Sequence, residues 1–262
     1  MKAIEARVLL TGASGGIGQA MARTLLRSGA AVMGVGRSAT PTLPEGTAWV
    51  QADLAREDGI AAVARAALQW QPNVVVHAAG VPGFGVLAGM PLSRMDEVLD
   101  LNLLAPMRLT QALLPQLLGQ RHAQLVFVGS ALGRIGLPGF SVYGASKAGL
   151  HGFAEALRRE LADTSVRVQI LGPRSTRTAF NDAEVEAYNR ATGTAMDSPE
   201  VVAAALLALI ESEAAERFIG FPERLAVRLN GVLGALFDSA FRQHRRSLQA
   251  PPSQPLSQRK PS

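Results

Sequence analysis

The stretch Thr11-Gly12-Ala13-Ser14-Gly15-Gly16-Ile17-Gly18 decides the fold that this sequence predicts. It follows a short apolar strand, 6–11, and leads into a helical pattern that runs to about residue 27. Glycines at such a turn let the backbone approach a pyrophosphate, and the helix N-terminus offers N–H groups and the positive end of a dipole. The alternative is a plain tight turn. The position between the first strand and a helix favours the phosphate site.

Strands and helices alternate along the chain outward from this turn. The predicted strands are 31–35, 49–53, 72–76, 124–130, 166–171 and 217–221, and the predicted helices are 60–70, 93–118 with a kink at Pro106, 143–161 and 199–210. The strands are continuous apolar runs, which indicates that both faces of the sheet are covered. We therefore predict an α/β fold, a single doubly wound Rossmann-type domain with a mostly parallel sheet of about seven strands.

A second motif, Tyr143-Gly144-Ala145-Ser146-Lys147, opens the predicted helix 143–161. Residues four apart share a helix face, so Tyr143 and Lys147 should lie side by side. A phenol has a pKa of about 10, and a neighbouring ammonium should lower it. Such a tyrosine can exchange a proton with a carbonyl or alcohol oxygen. Ser130, at the tip of the fifth strand, could hydrogen-bond the same oxygen.

The alternative is that Tyr143 and Lys147 form an exposed helix pair, as most such pairs do. The composition argues against it, because the 26 basic residues comprise only three lysines, and two of these lie near the chain ends. Where arginine is so strongly preferred, an internal lysine suggests a function that needs a compact ammonium.

The second predicted strand ends at Gly36-Arg37-Ser38, where a dinucleotide fold meets the adenosine ribose. An acidic residue at this point would bind the ribose hydroxyls of NAD, and none is present. Arg37 could pair with a 2′-phosphate, so the sequence favours NADP(H) over NAD(H) as the cofactor. The alternative is that Arg37 is a solvated loop residue.

Composition and charge exclude several classes of protein. The 262 residues include no cysteine, which excludes a disulfide framework, thiol catalysis and a cysteine metal site, and we predict no metal. The N-terminus lacks the pattern of a signal peptide, and no apolar run is long enough for a membrane span, so we expect a cytoplasmic protein. The net charge of +5 belongs to residues 222–262, so we predict no nucleic-acid partner for the body of the chain.

The C-terminal segment is predicted to be separate from the domain 1–221. Apolar residues at i, i+4, i+7 and i+8 spacing predict an amphipathic helix within 222–248, and a Pro- and Ser-rich tail, 249–262, is predicted to be disordered. Three alternatives remain open for the helix. It could pack on its own domain or on a partner subunit, roof an apolar substrate pocket, or place residues 222–247 on the inner face of a membrane.

These motifs together resemble the classical short-chain dehydrogenase/reductase family over about residues 5–221. The resemblance implies an oxidoreductase that transfers a hydride between nicotinamide and a carbonyl/alcohol substrate. It implies Tyr143 as general acid/base, and Lys147 as the group that holds the nicotinamide ribose and lowers the tyrosine pKa. Ser130 would orient the substrate oxygen, and Asn102 would anchor a water linking Lys147 to solvent. From the residues alone, an asparagine on an apolar stretch is more often a buried structural hydrogen-bonder.

The resemblance also implies a cofactor site, with Asp53 at the adenine and Thr178 at the nicotinamide carboxamide. The predicted cofactor-binding residues are Thr11, Gly12, Ser14, Gly16, Ile17, Gly18, Arg37, Asp53, Leu54, Ala79, Gly80, Tyr143, Lys147, Pro173, Thr176 and Thr178. Family members are commonly dimers or tetramers, so we expect a homodimer or homotetramer.

Two positions depart from the family pattern. Its Asn-Asn-Ala-Gly after the fourth strand is His77-Ala78-Ala79-Gly80 here, which should remove amide hydrogen bonds from the sheet, and its Pro-Gly turn after the sixth strand is Pro173-Arg174. The polar segment 174–197 is predicted to be a lid over the site. The apolar loop 81–90 and the C-terminal helix suggest a hydrophobic, acyl-like substrate. A non-catalytic dinucleotide-binding regulator or scaffold of the same fold remains the alternative.

Overall fold

The computed structural model describes residues 1–220 and 241–249. In this part of the chain, seven strands form one parallel sheet in the order β3-β2-β1-β4-β5-β6-β7. The strands are β1 (Arg7–Thr11), β2 (Ala31–Gly36), β3 (Thr47–Gln51), β4 (Val74–His77), β5 (Ala123–Val128), β6 (Val166–Gly172) and β7 (Glu216–Phe218). The predicted doubly wound α/β fold is confirmed, and every strand pairing is parallel.

Helices cover both faces of this sheet. They are α1 (Gly16–Arg27), α2 (Glu57–Trp70), α3 (Leu92–Leu99), α4 (Ala105–Leu118), α5 (Ser141–Glu160), α6 (Ala183–Thr192), α7 (Pro199–Ser212) and α8 (Arg242–Gln249). Successive side chains of a strand point to opposite faces, so Leu9 packs in the layer with α2, α4 and α5, whereas Val8 and Leu10 pack against α1 and α7. The continuous apolar runs therefore supply two core layers.

The strand order reverses at β1, which lies between β2 and β4. Ligands of open α/β sheets bind in the crevice at the carboxyl ends of the strands on either side of such a reversal. Gly12 follows β1, Gly80 lies in the turn after β4, and Ser130 lies just past β5. The topology thus brings these three points to one edge of the sheet.

The long helix predicted over 93–118 is interrupted. Asp100–Leu104 forms a π-helical turn between α3 and α4, just before Pro106. A proline has no N–H to donate, and its ring crowds the carbonyl four residues earlier, which here belongs to Asn102. Wider turns of this type relieve such crowding and are frequent at functional sites. The distortion predicted at Pro106 therefore lies one turn earlier and carries Asn102.

Two predicted strands end earlier than expected. The third was predicted to reach Asp53, but its pairing ends where Gln51 meets Gly36, the last residue of β2. The fifth was predicted to reach Ser130, but β5 ends at Val128, and the Gly129 N–H donates to Leu171 at the turn. Both polar residues therefore lie in the loops that follow the strands, which is where a bound ligand can reach them.

The predicted C-terminal helix and tail fall mostly outside the described residues, which lack 221–240 and 250–262. Helix α8 lies next to α6, where the rings of His244 and Tyr188 are 5.6 Å apart. The proposed boundaries after residues 221 and 248 remain predictions. Over residues 1–220 and 241–249, we find no helix whose length and apolar character would let it cross a membrane.

Candidate active site

The glycine turn is built so that side chains would block it. Gly12 has φ of +69°, which favours glycine, and a Cβ there would lie 2.8 Å from the Ala79 backbone. A Cβ at Gly18 would overlap the Gly12 carbonyl oxygen. Gly15 precedes α1, and no side chain caps that helix end. A bare turn with uncapped N–H groups fits the pyrophosphate of a dinucleotide cofactor.

Thr11 has a structural role in this turn. Its side chain is 1% exposed, and its hydroxyl accepts hydrogen bonds from the N–H groups of Ala78 at 3.0 Å and Ala79 at 3.1 Å. Thr11 therefore joins the ends of β1 and β4. Ile17 likewise packs against the apolar core. Their assignment as cofactor contacts remains a prediction.

A cavity of about 450 Å³ lies beside the ends of β2 and β3, where the sequence predicts the adenosine end of the cofactor. Arg37, Asp53 and Arg56 contribute to its walls. The Asp53 carboxylate accepts a hydrogen bond from the Ala55 N–H at 3.1 Å, whereas Leu54 is buried in the core. The sequence analysis missed Arg56; its position three residues after Asp53 was the available signal.

Ser130, Tyr143 and Lys147 meet beside the carboxyl end of β5. Lys147 is 6% exposed, and its ammonium donates to the Val128 carbonyl at 2.9 Å. The same nitrogen lies 5.8 Å from the centroid of the Tyr143 ring. The Ser130 hydroxyl accepts from the Leu132 N–H at 3.1 Å. Burial of Lys147 excludes the alternative of an exposed helix pair.

The acid–base properties differ from those expected. Burial raises the pKa of Tyr143 to about 12, against a smaller lowering by a hydrogen bond with Ser130. Burial also lowers the pKa of Lys147 to about 8. The net shift of the Tyr143 pKa is thus opposite to the lowering that the sequence led us to expect, and the contribution of Lys147 to this pKa remains a prediction. The physical reason is desolvation, which disfavours the charged form of both groups.

Asn102 is held by the backbone. Its side-chain oxygen accepts from the Val81 N–H at 2.8 Å, and its amide donates to the Val81 carbonyl at 3.0 Å and to Ser146 at 3.3 Å. A Cβ at Gly80 would lie 2.9 Å from that oxygen and 3.9 Å from the Lys147 nitrogen. Asn102 is therefore a buried structural hydrogen-bonder, as its position on an apolar stretch suggested. The water that it would anchor remains a prediction.

His77 replaces the missing amide of the family pattern. Its ring stacks on Phe127 with centroids 4.8 Å apart, and its Nε2 pairs with the Thr110 hydroxyl at 3.0 Å. Burial lowers its pKa to about 3, so the ring is neutral at physiological pH. The hydrogen bond between His77 and Thr110 joins the end of β4 to α4, at the end of the sheet that was expected to lose amide hydrogen bonds.

The segment 174–197 is closed at its base by an ion pair. Arg174 donates to both carboxylate oxygens of Asp197, at 3.0 and 2.8 Å. Within the segment, Thr178 lies over the glycine turn, since a Cβ at Gly16 would be 2.7 Å from its methyl group. Thr176 instead donates to the Arg174 carbonyl at 3.1 Å. The geometry thus favours Thr178 over Thr176 as a cofactor contact.

Pro173 and Ser14 complete the placement of the predicted cofactor residues. The Pro173 carbonyl accepts a hydrogen bond from the Ala131 N–H at 3.0 Å, which joins the ends of β5 and β6. The Ser14 hydroxyl lies near Gly36, at 3.3 Å from where a Cβ would be, and so faces the end of β2.

His151 is a residue near the site that the sequence analysis missed. It lies one helical turn after Lys147, is 2% exposed, and packs so closely that a Cβ at Gly129 would overlap its ring. Burial, with Arg134 and Lys147 acting in the same direction, lowers its pKa to about 4. The available signal was the spacing of four from Lys147, which continues the face that Tyr143 begins. A neutral His151 therefore supports the backbone that leads into Ser130.

The sheet topology, the bare glycine turn and the Ser130–Tyr143–Lys147 group define a dinucleotide-binding oxidoreductase fold. The family model described as short chain dehydrogenase matches residues 6–189. The chain belongs to the short-chain dehydrogenase family.

Individual relatives give the same result. The chain is 34% identical over 223 residues to nodulation protein G of Rhizobium sp. (strain N33), covering 80% of this chain and 91% of that protein. It is 36% identical over 177 residues to the 3-oxoacyl-[acyl-carrier-protein] reductase FabG of Pseudomonas aeruginosa, covering 63% and 71%. A short-chain dehydrogenase structure from Burkholderia cenocepacia J2315 in complex with NADP is 27% identical, with a TM-score of 0.73 and coverage of 86% and 100%. These similarities support an oxidoreductase that uses an NAD(P)-type cofactor.

Proposed function

We propose that the protein is an NADP(H)-dependent oxidoreductase for a carbonyl/alcohol pair, with Tyr143 as general acid/base. The observation that carries the proposal is the placement of Ser130, Tyr143 and Lys147 at the sheet edge that also holds the bare glycine turn. A bound nicotinamide would supply the hydride. A dinucleotide-binding regulator would need the glycine turn, but not a buried lysine beside a tyrosine.

In this mechanism the chain's own residues position the substrate oxygen and handle the proton. Ser130 donates a hydrogen bond to that oxygen, and Tyr143 holds the proton for the developing alkoxide. Lys147 carries the charge that favours the phenolate as the proton leaves. Its nitrogen lies beside Gly80, which supports the proposal that it also binds a ribose hydroxyl.

The substrate is proposed to be hydrophobic. Val86, Leu87 and Leu92, in and just after the loop that follows β4, are all more than half exposed, at 53%, 53% and 76%. Exposed large apolar side chains often mark a surface that binds apolar ligands. FabG relatives are named for reduction of 3-oxoacyl groups, and this supports an acyl-like substrate as one form of the proposal.

The experiment for the proposed function is a substrate panel with the purified full-length chain. Oxidation of NADPH would be followed with ketones, aldehydes and 3-oxoacyl thioesters, and the reverse reaction with the matching alcohols. We expect turnover of at least one apolar carbonyl class. Tight NADPH binding without turnover of any member would favour the regulator. Light scattering on the same sample tests the proposed homodimer or homotetramer.

We expect Arg37→Asp to reverse the cofactor preference. Loss of a charge-assisted contact to a 2′-phosphate should weaken NADPH binding by about 10- to 100-fold, whereas NADH binding should hold or improve. The measurement is the Kd of each cofactor by fluorescence titration. Arg121→Asp, with the same charge change on an exposed residue between α4 and β5, is the control. An unchanged ratio of the two Kd values in Arg37→Asp would remove Arg37 from the cofactor site.

A further inference from the structure

Aromatic side chains are scarce in this chain, and they gather at Tyr143. The sequence has only nine Phe, two Tyr and two Trp. Among the residues that the structure describes, five of these rings form a connected group, which we call the aromatic cluster: Phe84, Phe140, Tyr143, Phe180 and Tyr188. The rest of the core in residues 1–220 is built almost entirely from aliphatic residues, so this concentration of rings at a candidate catalytic residue is more than core packing requires.

Separate segments build the cluster. Phe84 comes from the loop after β4, Phe140 precedes α5, and Tyr188 lies on α6, with ring centroids 4.9 to 5.6 Å apart. The Tyr188 hydroxyl donates to the Pro138 carbonyl at 3.0 Å. Gly139, with φ of +87°, lets the backbone pass the Phe84 ring, where a Cβ would lie at 2.7 Å. The three rings are thus fixed in place.

Two rings flank Tyr143 itself. Phe140 lies 6.3 Å from it at 66°, and Phe180 lies 6.1 Å from it at 65°, both edge to face. Phe180 belongs to the segment closed by the Arg174–Asp197 pair and is 37% exposed, although it is a large apolar side chain. A ring held at the reacting tyrosine and left partly open has surface available for a ligand.

The substrate oxygen has to reach the Tyr143 hydroxyl, and the Phe140 and Phe180 rings that flank the Tyr143 ring offer apolar surface to the group attached to the carbonyl carbon. These rings offer no hydrogen-bonding group, and the one hydroxyl of the cluster besides that of Tyr143 is already bound by Pro138. Aromatic rings prefer edge-to-face or offset partners over saturated groups of equal size. A surface built from these two rings therefore favours a flat aromatic ring.

We propose that the substrate carries an aromatic ring directly on its carbonyl or carbinol carbon, and that Phe140 and Phe180 bind this ring. The inference rests on the proposed function and narrows its hydrophobic substrate to an aryl ketone, an aryl aldehyde or the matching alcohol. A saturated acyl chain is the competing class. Such a chain would gain equally from any apolar wall, whether it is built from phenylalanine or from leucine.

The test uses two ketones of nearly equal size, acetophenone and cyclohexyl methyl ketone. We expect the wild type to favour acetophenone by about tenfold or more in kcat/KM, and Phe180→Leu to reduce that ratio to about threefold or less, mainly through the KM for acetophenone. Leucine keeps an apolar side chain, so kcat/KM for the saturated ketone should fall by less than kcat/KM for acetophenone. Leu68→Ala, an exposed position on α2, should leave the ratio unchanged.

Equal kcat/KM values for the two ketones in the wild type would overturn the inference. An equal loss for both in Phe180→Leu would do the same. Binding separates this inference from the proposed function. One outcome would support the aryl site and contradict the proposed reaction. No carbonyl would be turned over, but saturation-transfer NMR would show that acetophenone binds in preference to cyclohexyl methyl ketone, and Phe180→Leu would abolish this preference. If a 3-oxoacyl thioester is turned over while neither kinetics nor NMR shows a preference for the aryl ketone, the proposed reaction stands and the aryl site fails.

Discussion

Replacing Tyr143 with phenylalanine is expected to lower kcat by about 10³-fold or more, because the reaction loses its proton donor. The ring itself remains, and with it the edge-to-face contacts with Phe140 and Phe180 and the position of the Lys147 ammonium near its face. We therefore expect the Kd for NADPH to change by less than about threefold, since only a hydroxyl is removed. Steady-state kinetics with the best substrate of the panel and a fluorescence titration of NADPH measure the two quantities.

The same variant also separates catalysis from folding. Burial raises the pKa of Tyr143 to about 12, which shows that the site is a poor environment for the charged phenolate and favours the neutral hydroxyl. At neutral pH the hydroxyl is uncharged in the folded and the unfolded protein, so the variant loses only its hydrogen bond with Ser130, and the free energy of unfolding should fall by no more than about 1 kcal/mol. Near-wild-type turnover by Tyr143→Phe would contradict the proposed mechanism. Loss of NADPH binding together with turnover would instead place Tyr143 among the cofactor contacts alone.

Local patterns explain why so much of the fold and part of the site could be predicted. The glycine turn, the apolar strands and the spacing of Tyr143 and Lys147 are each set by residues close in sequence. Parallel strands are buried on both faces, so their apolar runs alone predict a doubly wound sheet. Residues at the carboxyl ends of β4 and β5 then have to meet, and Gly80 and Ser130 do lie at one edge of the sheet.

What could not be predicted depends on packing between distant segments. The sign of the Tyr143 pKa shift follows from burial, which no spacing of four residues reveals. The His77–Thr110 hydrogen bond joins β4 to α4, and it replaces an interaction that the sequence alone suggested was lost. The cluster around Phe180 likewise requires the loop after β4 and the segment 174–197 to fold over the same helix.

The buried lysine favours the proposed catalytic function over a purely structural role for this site. Burial lowers the pKa of Lys147 to about 8 from its usual 10.5, so at neutral pH the folded protein holds a charge in an unfavourable environment. A scaffold would gain stability from an apolar residue at this position. Retaining the ammonium is understandable if it acts on a bound ribose and on Tyr143, because functional sites often carry such a cost.

We accordingly expect Lys147→Met to inactivate the protein and to stabilise it. Turnover should fall by about 10²-fold or more. Lys147→Arg should not restore it, because the Lys147 nitrogen is already confined between Gly80 and the Val128 carbonyl and a guanidinium is larger. The lowered pKa means that the charged Lys147 reduces the free energy of unfolding of the wild type by about 3 kcal/mol below pH 8. Lys147→Met removes this cost but also loses the hydrogen bond to Val128, which offsets about 1 kcal/mol of the gain in stability.

The pH dependence of this gain is the decisive measurement. Since the folded-state pKa lies below the unfolded one, the wild type carries the full cost below about pH 8, and the cost disappears as the pH rises towards about 10.5. In urea unfolding, Lys147→Met should therefore be more stable than the wild type by about 2 kcal/mol at pH 7 and should lose this advantage by about pH 10. Lys2→Met, the same change at an exposed residue, should show no such trend. A variant that is less stable than the wild type at pH 7, or a difference that does not vary with pH, would mean that the ammonium contributes to the stability of the fold.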